Sequence, residues 1–174
     1  MIYFDNAATT RKKPKEVIDA FNYYITEIGT SPGRGSYSLG IQASRMLYQS
    51  RKTVAEFFGI SDPTNVVFTK NSTEGINFFF NGYLKKGDHV IISPYEHNAV
   101  LRPLHRLKEL GIISYTVLPE EAIYDAEHYL ENFIRGNTSM IAVTLASNLT
   151  GQIVFNTKIS HIANKYNIKM FGIS

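Results

Sequence analysis

A chain of 174 residues is long enough for one domain with a sizeable core, and its 44% apolar content is ordinary for a globular protein. Eighteen basic against fifteen acidic residues leave a net charge of +3, dispersed apart from Arg11, Lys12, Lys13 and Lys15, so the stripe or motif of a nucleic-acid binder is lacking. Zero cysteines exclude disulfides, redox pairs and thiolate metal sites; the five histidines lack ligand-pair spacing, no apolar run approaches the ~20 residues of a membrane span, and the start carries no signal-peptide pattern, so a soluble cytoplasmic protein is the expectation.

Residues 2–4 read as a short strand leading into Asp5-Asn6-Ala7-Ala8-Thr9-Thr10. Pro14 suits the first turn of a helix, and Val17, Ile18, Phe21, Tyr24, Ile25 and Ile28 recur at helical spacing up to Gly29. A loop follows over 30–36, with Ser31-Pro32-Gly33-Arg34-Gly35 at its centre, and then a longer helix over 38–58 stopped by Gly59. From there the rhythm becomes regular. Strands are predicted over 65–69, 89–93, 112–118, 140–145 and 168–173, and helices over 73–84, 99–110, 126–134 and 157–166. Strand and helix alternating at this spacing imply right-handed βαβ units and a largely parallel sheet. Val66-Val67-Phe68, Val90-Ile91-Ile92 and Ile141-Ala142-Val143 are apolar on both faces, as a sheet covered by helices on each side requires.

In such a sheet ligands gather at the carboxyl ends of the strands, and polar blocks stand there. After the first predicted strand, Asn71-Ser72-Thr73-Glu74 opens a helix. Ser72 or Thr73 suits the N-cap and Glu74 the positive helix end; free backbone N–H groups with two hydroxyls would cradle an anion, although a plain helix cap reads the same way. After the next strand comes Tyr95-Glu96-His97-Asn98, where His97 either stacks on an aromatic ligand and passes protons or simply begins a helix. After strand 140–145 comes Ser147-Asn148-Leu149-Thr150-Gly151, where Asn148 either bonds a ligand hydroxyl or serves turn chemistry.

Taken in order, these blocks resemble the N-terminal part of the class V aminotransferases, in particular the cysteine desulfurase-like branch of the pyridoxal-phosphate enzymes. Tyr3-Phe4-Asp5-Asn6-Ala7-Ala8-Thr9-Thr10 is similar to the opening motif, Ser31 to Gly35 to the glycine-rich loop, and the run from Val67 to Asn77 to the phosphate-binding turn. Glu96-His97-Asn98-Ala99-Val100-Leu101-Arg102-Pro103 and Ser147 to Gly151 are similar to the cofactor-stacking and ring-oxygen motifs. The resemblance implies a three-layer α/β fold with a mainly parallel sheet, that of the fold-type I transferase large domain. It also implies that residues 1–14 lead to the active site and that 15–174 form a partial cofactor-binding domain. Ser72 and Thr73 would hold the phosphate of pyridoxal phosphate. His97 would stack on the pyridine ring and act catalytically by passing protons, and Asn148 would bond the ring hydroxyl. Asn6 and Arg34 would lie toward the substrate. The implied reactions are conversion of cysteine to alanine with a persulfide formed on an enzyme cysteine, or amino-group transfer and related eliminations.

Three family elements do not occur in these 174 residues. The aspartate that pairs with the pyridine nitrogen is expected where Gly172 or Ile173 stands, and no lysine sits in the Ser-x-His-Lys context of the family's Schiff-base lysine. The small domain with its cysteine is the third. The expectation is a polypeptide that carries five of seven sheet strands, takes the cofactor at most noncovalently and is inactive alone. It would self-associate or combine with a complementary C-terminal half; the alternative is a noncatalytic remnant that pairs with itself or with a full-length relative.

Overall fold

The computed structural model describes residues 2–6 and 8–173; Ala7 of the opening motif, Met1 and Ser174 lie outside the described residues. The chain divides into two compact units, Met1–Phe68 and Thr69–Ser174.

The first unit is helical. Helix α1 (Lys15–Tyr23) continues as a wider turn over Tyr24–Ile28 and ends at Gly29, whose φ of 55° is the left-handed conformation that glycine adopts freely. Helix α2 (Ser38–Phe58) ends in the same way at Gly59, φ 67°. Among the described residues, the apolar ones buried in this unit are few: Ile28, Ala43, Ala55 and Val66. The stripe predicted on the first helix is real as a pattern, yet Val17, Ile18, Phe21 and Ile25 are all exposed.

Two predicted strands of this region are absent. Residues 2–4 form no ladder, and Phe4 is 93% exposed. Residues 66–68 also find no ladder partner among the described residues, and a short 3-10 turn occupies Pro63–Asn65. Val66 lies in the extended region, so the local preference for a strand is met, but Val67 and Phe68 are exposed. A β-type run becomes a strand only when a neighbour supplies backbone hydrogen bonds, and propensity cannot supply them. The sheet therefore has four strands rather than the expected five.

The second unit holds that sheet. Helix α3 (Ser72–Tyr83) precedes β1 (Asp88–Ile92); α4 (Asn98–Glu109) leads to β2 (Ile113–Val117); the short helices α5 (Glu121–Tyr124) and α6 (Ala126–Tyr129) lead to β3 (Thr138–Thr144); and α7 (Thr157–Lys165) leads to β4 (Lys169–Ile173). All three strand pairs are parallel and the order is β2-β1-β3-β4. The helix predicted over 126–134 is instead broken: α6 stops at Tyr129 and a 3-10 turn covers Leu130–Phe133.

Alternation along the strands builds two cores. Ile91, Ile141 and Val143 face Ile123, Leu130, Ile159 and Ile162 of the α5–α7 layer. Val90, Ile92, Met140 and Ala142 face Ile76, Phe80, Val100 and Leu104 of the α3–α4 layer. This is the period-two pattern of a sheet with both faces covered, hence three layers. Phe79 stacks on Phe171 at 4.6 Å between centroids and tightens the second core near β4. No helix among the described residues is long and apolar enough to cross a membrane.

The strand order also fixes where a ligand belongs. From β1 the chain crosses to β2 on one side, then returns past β1 to β3 on the other. The crevice at the carboxyl ends of β1 and β3 is thus the topological switch point, where open parallel sheets bind ligands.

Candidate functional site

Four predicted site residues belong to the second unit, and each is carried by a loop or helix start that follows a strand or extended segment. At α3, the cap differs from expectation. Asn71, not Ser72 or Thr73, is the N-cap: its Oδ1 accepts from Glu74 N at 2.9 Å. Glu74 folds back, its Oε2 accepting from Lys70 N at 2.7 Å. These two bonds occupy the positions on either side of Ser72 and Thr73 and leave their two exposed hydroxyls at the positive end of a 12-residue helix. Gly75 faces Thr69, where an added Cβ would approach Oγ1 to 3.3 Å; a side chain there would press on the turn that sets up the helix start.

His97 is the N-cap of α4. Its Nδ1 accepts from Ala99 N at 3.0 Å, so Nδ1 carries no proton and the neutral ring keeps its proton on Nε2. The bland reading of this histidine, that it begins a helix, is therefore true. It is also incomplete, because the same exposed ring lines two clefts. One cleft, of 470 Å³, joins His97 to Thr73, Asn77, Arg102 and Arg106. The other, of 360 Å³, joins His97 to Glu96, Ser147, Asn148 and Thr150.

Asn148 rides on a loop fixed from within. Ser147 Oγ accepts from Leu149 N and Thr150 N at 3.3 Å each, Ser147 O accepts from Gly151 N at 2.8 Å, and an Ala146–Ile153 bridge closes the base. Gly151 has φ 72°, a conformation costly for any residue with a side chain. Turn chemistry thus belongs to Ser147 and Gly151, and the Asn148 side chain is left exposed toward the cleft.

Between these blocks lies a buried carboxyl. Glu96, 8% exposed, accepts through Oε1 from both Ser93 Oγ at 2.5 Å and Thr144 N at 2.6 Å. Burial pushes its pKa up, and the two hydrogen bonds oppose that shift. Its Oε2 is buried without a partner among the described residues.

Thr73 and His97 share one cleft, and His97 and Asn148 the other; Ser72 stands beside Thr73 but lines neither. Asn6 and Arg34, both exposed, belong to the first unit; Asn6 Oδ1 accepts from Arg11 N at 3.4 Å. Sequence reasoning passed over Arg102 and Arg106. Their spacing from Asn98, four and eight residues along one helix, was the available signal. Another cleft, lined by Glu127, Lys158, His161 and Lys165, contains no strand-end residue, and Lys158 and Lys165 are already paired with Glu127 and Glu131.

The donor set suits a planar aromatic phosphate ester. Hydroxyls at a helix start and two guanidinium groups match the anion, an imidazole matches the ring, and a side-chain amide matches a ring hydroxyl.

The family model for aminotransferase class-V matches residues 2–171. A "probable cysteine desulfurase" of Borreliella burgdorferi is 33% identical over 98% of this chain and 42% of its own length; another from Methanothermobacter thermautotrophicus is 34% identical over 94% and 40%. Among solved structures, an apo cysteine desulfurase from Thermococcus onnurineus matches with a TM-score of 0.82 and 30% identity, over 98% of this chain and 43% of that one. A NifS-like protein matches with a TM-score of 0.86 and 25% identity, over 99% and 48%. The chain spans about two fifths of the length of the curated relatives it matches.

Proposed function

The chain belongs to the class-V aminotransferase family, and from that membership we propose that it supplies one side of the pyridoxal-phosphate site of a cysteine desulfurase. The observation that carries this reading is that one ring, His97, borders both the cleft of the helix start and the cleft of Asn148.

Ser72 and Thr73 hold the cofactor phosphate through their hydroxyls and first-turn N–H groups, and Arg102 and Arg106 add positive charge beside Thr73. His97 stacks on the pyridine ring and exchanges protons at Nε2, because Nδ1 is committed to Ala99 N. Asn148 donates to the ring hydroxyl. Asn6 and Arg34 serve the substrate side. When bound, the cofactor supplies an electron sink for bond breaking next to the amino group, while the protein supplies orientation and electrostatics.

The family reaction on this reading is cysteine to alanine with sulfur passed on as a persulfide, or amino-group transfer. Residues 1–14 lead to the site, and 15–174 form the partial cofactor-binding domain. The 174 residues hold no cysteine to accept sulfur, and β4 carries no aspartate to pair with the pyridine nitrogen. No lysine of the 174 residues stands in the Schiff-base context either, so a polypeptide of these residues alone binds the cofactor noncovalently and does not turn cysteine over. Turnover on this reading draws on a complementary C-terminal half, carried by the same polypeptide or by another; homo-oligomers are the other expected assembly, and the cytoplasm the expected compartment.

Titration of the chain with pyridoxal phosphate, followed by absorbance and induced circular dichroism, tests the reading. Saturable binding, lost in His97→Ala and leaving no lysine adduct after borohydride reduction, is the expected result. Absence of saturable binding overturns it. That outcome, combined with concentration-dependent self-association, would favour a noncatalytic interaction module, a reading to which the exposed Phe57, Phe58 and Phe78 lend some support.

A further inference from the structure

We infer that Glu96 is a positioning residue that sets the distance between His97 and Asn148 by clamping the turn after β1 to the end of β3. The inference rests on the proposed cofactor site and adds to it a residue that acts through the two segments it joins.

The clamp spans the switch point. Glu96 adjoins His97 in sequence, and Thr144 ends the strand from which the Asn148 loop departs. Parallel strands β1 and β3 are hydrogen-bonded up to Ile92 and Ala142, and Ser93 N reaches Ala142 O at 3.2 Å. Beyond that the chains diverge, one into α4 and the other into the 145–156 loop. The Glu96 Oε1–Thr144 N bond, 2.6 Å long and joining residues 48 apart in sequence, ties them past the point of divergence. Ser93 Oγ holds the carboxyl in place from the near side at 2.5 Å. All three residues are at least nine-tenths buried, so water does not compete for these bonds.

A role in core stability alone explains this arrangement poorly. Buried carboxyls kept for stability have both oxygens satisfied, and well-packed apolar residues usually serve a core as well or better. Here one oxygen takes both donors and the other, buried, has none among the described residues. A half-satisfied buried carboxyl is a cost to the fold, and such costs gather at functional sites. What it provides is one acceptor at the junction of the two site-bearing segments.

The test uses the full chain and three variants. Glu96→Gln keeps an Oε1 acceptor of the same reach, Glu96→Leu removes it at similar volume, and Ser93→Ala removes only the near-side donor. Two quantities are measured at a temperature where far-ultraviolet circular dichroism shows each chain folded: the affinity for pyridoxal phosphate and the hydrogen-exchange rate of the Thr144 amide by NMR. In Glu96→Leu, Thr144 exchange should quicken and cofactor affinity fall, each by about tenfold or more, the size expected for a lost hydrogen bond to a carboxyl. Glu96→Gln should restore both, and Ser93→Ala should fall between.

Wild-type affinity in Glu96→Leu overturns the clamp, as does a Glu96→Gln chain as impaired as Glu96→Leu. If Glu96→Leu does not fold, Ser93→Ala decides: unchanged exchange and affinity overturn the inference, and a loss of both supports it. If the wild-type chain binds no pyridoxal phosphate, the functional reading fails separately. The clamp is then judged on Thr144 exchange and on whether the His97 and Asn148 side-chain resonances move together in the variants.

Discussion

At the residue scale, two buried titratable groups pull stability in opposite directions with pH. His89 is fully buried in β1, with Nδ1 2.8 Å from Thr138 Oγ1 and Nε2 2.9 Å from Thr116 Oγ1. Burial, with the nearby Arg135 charge, lowers its pKa to about 4. The unfolded chain binds that proton near pH 6.5 and the folded chain resists it, so stability is lost as pH falls from about 6.5 toward 4, by on the order of 2–3 kcal/mol. Urea midpoints at pH 7.5 and 5 should show this loss. His89→Gln, which cannot titrate, should be weaker at neutral pH but show a flatter dependence. Glu96 has the opposite sign. Its pKa is raised by burial, so its contribution is present below its unfolded value and lost as pH rises through the folded one. The stability difference between Glu96→Gln and wild type should therefore move in favour of the variant as pH rises. His97, Ser72, Thr73 and Asn148 were legible as site candidates because each stands beside a pattern change from strand to helix. Glu96 was not legible as a clamp, because its partner Thr144 lies 48 residues away and only folding brings the two together.

At the element scale, helices were easier to read than strands. The start of α3 came within one residue, since Asn71-Ser72-Thr73-Glu74 offers several cap formers in a row, but which one caps is decided by side-chain geometry. Asn71→Ala removes the acceptor for Glu74 N and should cost about 1 kcal/mol, read as a lower melting temperature with the same strand content. Ser72→Ala, by contrast, removes no cap and should leave the stability within about 0.5 kcal/mol of wild type. The strand predicted over 65–69 failed for the reason opposite to the one that made β1 succeed. β1 has β2 on one side and β3 on the other, whereas 66–68 has no ladder partner among the described residues. The break between α6 and the 3-10 turn at Leu130 was likewise invisible in the spacing, because Ala126 and Leu130 are both buried and continue the apolar rhythm across it.

At the scale of the whole molecule, the two units differ in how much core they own. The second unit carries both apolar clusters, with Val90, Ile91, Ile92, Met140, Ile141 and Val143 fully buried, while the first unit buries four apolar residues among those described. Local opening follows buried contact, so hydrogen exchange should be slowest in β1 and β3 and much faster in α1 and α2. Equal protection across α1, α2 and the central strands would contradict that distribution of core. The sequence itself determined the family, through its ordered motifs, and the layers, through apolar periodicity, and it nominated Ser72, Thr73, His97 and Asn148 as candidates, because motifs and periodicity are local patterns that survive without coordinates. The tertiary structure alone decided which β-type runs pair, which residue caps α3, and that one carboxyl ties the His97 turn to the strand before Asn148. Those outcomes depend on hydrogen bonds between residues far apart in the chain, and a donor or acceptor in a sequence does not name its partner.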